Sequence, residues 1–189
     1  MQKPPIYYLT GMGETLHTGL GQAILQRGHD VTGRQLCGEF RRMAFQDQID
    51  TVCTDLSAHF WHKDARLVCN SFGAYLALHA FAQLATPFVG KVLLLSPIVG
   101  EFANNDQARP MNFLPPRPTQ LMALATSGLY PTPLCCEMHV GSEDWQANPD
   151  NVSKFGALVG LDVHVVQNAG HMLPKAYVGG LLDAWLKFN

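Results

Sequence analysis

The chain has 189 residues, 47% of them apolar and 15% charged, with a formal net charge of −2. That length points to a single domain, residues 1–189, with a sizeable core, and the composition excludes long disorder. The near-neutral charge leaves no electrostatic footprint for nucleic acid or an acidic membrane, and the densest basic spot, Arg41-Arg42, reads as a solvated patch.

The five cysteines, Cys37, Cys53, Cys69, Cys135 and Cys136, are odd in number and scattered. They do not make a disulfide framework and read as reduced packing residues of a cytoplasmic protein. The opening Met1-Gln2-Lys3-Pro4-Pro5 leads straight into a strand, without the apolar core of a signal peptide. No apolar stretch approaches the ~20 residues of a membrane span.

Taken in order, the first predicted strand is Ile6 to Thr10, followed by a glycine turn, Gly11-Met12-Gly13, and a helix over 15–26 that Gly28 ends. A second strand covers 30–36, and a polar linker follows. The helix over 45–60 is well marked, because Ile49, Val52, Cys53, Leu56 and Phe60 recur at helical steps on one face. A third strand, 66–70, leads to a helix over 71–83, and a fourth strand covers 91–96. The segment 97–133 is proline-rich and holds one short helix near 119–125. A fifth strand (134–140), a helix (149–159), a sixth strand (162–167) and a last helix (176–188) complete the chain.

This alternation predicts an α/β fold, doubly wound, with a mainly parallel six-stranded sheet and helices on both faces. In such sheets a ligand crevice lies beyond the carboxyl ends of the strands. The residues there therefore decide function.

After the third strand comes Cys69-Asn70-Ser71-Phe72-Gly73. A serine between a buried strand and a helix, with small residues two places either side, can sit on a sharp, strained turn. The competing reading is a helix N-cap. After the fifth strand comes Gly141-Ser142-Glu143-Asp144-Trp145, and after the sixth Asn168-Ala169-Gly170-His171. An acid and a histidine at later strand ends on the serine's edge suit nucleophilic catalysis. Ser71 would attack, His171 would carry the proton, and Asp144, in competition with Glu143, would hold the imidazole. Backbone N–H groups of Met12 and Phe72 would form the oxyanion hole. A dinucleotide-binding reading of the first turn fails, because Leu16 stands where the third glycine belongs.

These motifs, with Leu9-Thr10-Gly11-Met12-Gly13 as the oxyanion turn, resemble those of the α/β-hydrolase superfamily over nearly the whole length. Thr10 and Cys69 depart from the commoner histidine and glycine. The resemblance implies a compact serine hydrolase with a reduced sheet in the order 2-1-3-4-5-6. It also implies that 97–133 is a short cap-like insertion. The expected reaction is cleavage of a small-molecule carboxylic ester or thioester through an acyl-enzyme, with no cofactor and no metal. A non-catalytic, hydrolase-like binding module is the alternative.

For the substrate pocket, Met111, Phe113, Leu121, Met122 and Trp145 are the expected lining, with Arg109 and Arg117 nearby. His59 and His62, with Asp64, form a pair too sparse for a metal site. His79 is expected to pack or face solvent, and His139 and His164 to occupy core or sheet-face positions.

Overall fold

The computed structural model describes residues 3–104 and 111–187. The elements in chain order are β1 (Ile6–Met12), α1 (Gly19–Leu25), β2 (Val31–Leu36), α2 (Gly38–Arg42), α3 (Phe45–Asp55), β3 (Arg66–Asn70), α4 (Phe72–Leu84), β4 (Lys91–Leu95), β5 (Phe102–Asn104), β6 (Met111–Phe113), α5 (Gln120–Thr126), β7 (Cys135–Gly141), α6 (Pro149–Val159), β8 (Asp162–Val166) and α7 (Lys175–Trp185). The main sheet has six strands in the order β2-β1-β3-β4-β7-β8, and every neighbouring pair is parallel. Counting only these strands, this is the expected 2-1-3-4-5-6. Strands β5 and β6 form a separate antiparallel pair inside the 97–133 segment.

The strand sequences dictate the layers. Tyr7, Leu9, Leu67, Cys69, Val92, Leu94, Met138 and Val140 point to one face, where residues of α3, α4, α5 and α6 pack on them. Their alternating neighbours Ile6, Tyr8, Val68, Leu93 and Leu95 point to the other, against residues of α1 and α7. Central strands buried on both faces must be apolar almost throughout, and β1, β3 and β4 are. The edge strands β2 and β8 are half-exposed or exposed at most positions, and β2 is correspondingly polar. A bidentate pair from Arg34 to Asp55, both contacts 2.7 Å, ties the β2 edge to the end of α3.

Local chemistry explains where the elements depart from expectation. The first helix starts at Gly19 rather than residue 15, because Leu16 folds back beneath Gly21. A Cβ on Gly21 would stand 2.0 Å from the Leu16 carbonyl oxygen. The predicted helix over 45–60 is α-helical only to Asp55 and finishes as a π-helical turn, Leu56–Phe60, that keeps Leu56 and Phe60 buried. The linker after β2 contains α2, with Glu39 in its first turn and Arg41 and Arg42 in its last, which favours so short a helix. Helix α6 begins as read, since the Asn148 side chain accepts from the N–H groups of Asp150 and Asn151 and Pro149 opens the helix. No helix among the described residues is long and apolar enough to cross a membrane.

Helix α4 is the buried core helix, with every residue from Phe72 to Phe81 inside. His79 is part of that core, edge-on to Tyr75 at 4.5 Å and to Phe45 at 5.2 Å. Burial, with help from the Arg117 charge, lowers its pKa from 6.5 to about 4. The unfolded chain therefore takes up this proton first as pH falls. The stability contributed by a neutral His79 is complete above pH 6.5 and is lost towards pH 4. Between pH 7 and pH 5 this loss should be about 2 kcal/mol. Urea denaturation of His79→Leu at the two pH values should show that much less pH dependence than the natural chain.

Candidate active site

The turn between β3 and α4 holds Ser71 at φ 53° and ψ −118°, in a region that side-chain-bearing residues rarely occupy. Its N–H donates to Leu95 O at 2.9 Å, and its carbonyl accepts from Ala74 and Tyr75. The backbone is thus fixed on both sides of the strained residue. The crowded neighbour is Gly73, whose Cβ would meet the Leu9 and Thr10 carbonyl oxygens, each at 2.4 Å. Cys69, two residues before the serine, is fully buried in the α4-side core, and a cysteine fits there. Burial pushes its thiol pKa well above the ordinary value.

Ser71 Oγ lies 2.7 Å from His171 Nε2. His171 Nδ1 lies 2.9 and 3.0 Å from the two carboxylate oxygens of Asp144. Asp144 is 1% exposed, whereas Glu143 is exposed, which settles which of the two acids faces the imidazole. Asp144 Oδ1 also accepts from the N–H groups of Gln146 and Ala147, both at 2.9 Å. The acid and base loops are tied together: Glu143 N–H donates to Ala169 O, and a Cβ on Gly141 would sit 2.1 Å from that oxygen. Ser96, buried at the end of β4 with φ 46°, donates from its hydroxyl to His171 O at 2.7 Å. It therefore holds the backbone that presents the imidazole.

The turn after β1 has a different anchor. One carboxylate oxygen of Glu14, Oε2, accepts from Gly11 N–H at 2.9 Å, from the Asn70 side-chain amide at 3.0 Å and from the Tyr8 hydroxyl at 3.1 Å. This single acceptor links the glycine turn to the residue preceding Ser71. Thr10 is buried, and its hydroxyl accepts from Leu36 N–H and donates to Gly11 O, so it braces the turn from within. Phe72 follows Ser71 directly and opens α4. Met12 lines the same cleft as Ser71 and His171.

That cleft has a volume of about 690 Å³ and runs between α1 and the start of α7, with Leu20, Ala23, Leu173 and Val178 as its apolar wall. The expected pocket lining is corrected here. Leu121 is fully buried in the core, because α5 packs its apolar side against the α4 layer. Met122 faces a separate depression, beside Val99 and Pro118. Trp145 is half-buried and does not line the cleft. Met111 and Phe113 lie on β6, with side chains outside the described residues, and Arg109 is itself outside them. Arg117 is exposed and engaged elsewhere, bonded to Gln46 and placed over the Phe45 ring. Sequence reasoning looked for the pocket in the most irregular segment, whereas the described wall comes from α1, α7 and the residues leading into α7. It also missed Glu14, Asn70 and Ser96. Glu14 carried the one available signal, a carboxylate directly after a glycine turn.

Comparison with known proteins agrees with this architecture. The ydeN gene product of B. subtilis superposes with a TM-score of 0.65 at 14% identity, covering 97% of this chain and 98% of that one. A structure from the thaumarchaeon Nitrososphaera gargenis, described among carboxylesterases, gives 0.63 at 17% identity over 98% and 90%. Mouse alpha/beta hydrolase domain-containing protein 10 gives 0.62 at 14% identity over 96% and 87%. No curated protein matches the chain by sequence. The family model for serine hydrolases matches residues 39–183, and the chain accordingly belongs to the serine hydrolase family, with a compact α/β-hydrolase fold.

Proposed function

We propose that this protein cleaves a carboxylic ester or thioester through an acyl-enzyme, with Ser71, His171 and Asp144 as its catalytic triad. The observation that carries the reading is the 2.7 Å contact from Ser71 Oγ to His171 Nε2, continued by the contact from His171 Nδ1 to Asp144. As Oγ bonds to the acyl carbon, His171 Nε2 takes the hydroxyl proton. The carbonyl electron pair moves onto oxygen and is held by the N–H groups of Phe72 and Met12. The bond to the leaving alcohol or thiol then breaks, and His171 returns the proton to it. Water, deprotonated by the same nitrogen, releases the acid and restores Ser71.

The apolar wall beside Ser71 supports an acyl group as the bound portion, and the carboxylesterase likeness supports an ester over an amide. All five cysteines are unpaired, which supports a cytoplasmic location. The short Ser71–His171 separation favours an enzyme over a hydrolase-like binding module.

A fluorophosphonate probe should label the folded protein at Ser71, as read by peptide mass mapping. Folded protein that remains unlabelled would leave the binding module as the reading. Loss of the Glu14 anchor should misplace the oxyanion turn. Glu14→Ala should therefore lower kcat by about 10²-fold while changing KM far less, measured on a panel of esters of graded acyl length.

A further inference from the structure

Away from the cleft, β7 and β8 bring together a second set of polar side chains on the α7 side of the sheet. Glu137 and His139 alternate onto one face of β7, and the register sets His164 of β8 opposite His139. The two imidazoles stack with centroids 4.5 Å apart and planes at 15°. Glu137 Oε2 lies 3.5 Å from His139 Nε2 and 3.9 Å from His164 Nε2.

His139 is the informative member. Its side chain is only 4% exposed. Its Nδ1 is held by the Tyr177 hydroxyl of α7 at 2.7 Å, while its Nε2 has no hydrogen-bond partner. One ring nitrogen fixed by an outer partner, with the other facing a carboxylate, is how metal-ligating histidines are oriented.

We propose that Glu137, His139 and His164 form a binding site for a divalent transition-metal ion of the zinc class, ligated through Oε2 and the two Nε2 atoms. The donor set, two imidazoles and a carboxylate without a thiolate, suits such an ion better than calcium or magnesium. Metal–ligand bonds of ~2.0 Å place tetrahedral ligands about 3.3 Å apart. The observed 3.5 and 3.9 Å separations from Glu137 are close to this, and the His164 ring, stacked on His139 and half-exposed, has to turn about its side-chain bonds to bring its Nε2 lone pair onto the ion. The His164 side chain is 51% exposed, which gives the ion a path in and leaves a fourth position for water. The site is independent of the Ser71 chemistry, but β7 leads into the loop of Asp144 and β8 into the loop of His171. A bound ion would clasp the two strands that carry those residues.

The test is calorimetric titration of Zn²⁺ alone into the reduced, chelator-stripped full chain. We expect about one ion per chain, affinity reduced at least about tenfold in His164→Ala and Glu137→Gln, and unchanged affinity in His171→Ala. Both weakening substitutions are at partly exposed side chains, so circular dichroism should show intact folding. Co²⁺ in place of Zn²⁺ should give visible ligand-field bands without a thiolate charge-transfer band. Three results would overturn the proposal: no stoichiometric binding to the folded natural chain, equal affinity in the two variants, or a thiolate band that assigns the ion to a cysteine. None of these outcomes depends on whether Ser71 reacts with a fluorophosphonate.

Discussion

Alanine at Ser71 or at His171 should each lower kcat/KM for ester hydrolysis by roughly 10⁵–10⁶-fold, and the double variant should fall no further. The reason is mutual dependence within the proposed triad. Without His171 the hydroxyl, 2.7 Å away in the intact protein, has no acceptor for its proton. Without Ser71 the imidazole has no nucleophile to activate. Asp144→Ala should cost less, about 10⁴-fold, because it removes orientation and charge but leaves nucleophile and base. It should also lower the melting temperature, since the Gln146 and Ala147 N–H groups lose their acceptor. Steady-state kinetics on purified variants, with circular dichroism to verify folding, reads these values. Additive losses in the double variant would mean that Ser71 and His171 do not act as a unit.

Gly73→Ala should destabilise the protein by about 3 kcal/mol or more, read as a fall in melting temperature of roughly 6–12 °C. The added Cβ would lie 2.4 Å from two carbonyl oxygens of β1, and β1 is a central strand that cannot retreat. Gly13→Ala is the contrasting case. Gly13 also belongs to the site region, at φ 81°, but a Cβ there would meet nothing within 4 Å. Its cost is the left-handed backbone alone, about 1 kcal/mol. If the two variants melted alike, the tight contact between the elbow and β1 would be wrong.

How much was legible follows from which interactions are local. The apolar runs of β1, β3 and β4 announce buried parallel strands, and the spacing in α3 announces a helix face. Asn148-Pro149 announces a helix start by chemistry confined to a few residues. The start of α1 was not legible, because it is set by Leu16 packing under Gly21. The π-helical turn at Leu56–Phe60 is likewise a compromise with the core, not a local preference. His139 and His164 read as sheet-face residues, as they are. Their partnership with Glu137 depends on the register between β7 and β8, which neither strand encodes alone.

The sequence by itself determined the order of elements and the placement of Ser71, Asp144 and His171 after three strands of one sheet. Strand and turn signals are local, and right-handed crossovers then bring those strand ends to one edge. Tertiary structure decided what those residues touch. It turned Asp144 rather than Glu143 towards the imidazole and set Glu14 beneath the glycine turn. It also built the cleft wall from α1 and α7 instead of the proline-rich segment. These outcomes depend on which helix covers which face and on contacts between residues far apart in the chain, and neither periodicity nor motif spacing carries that information.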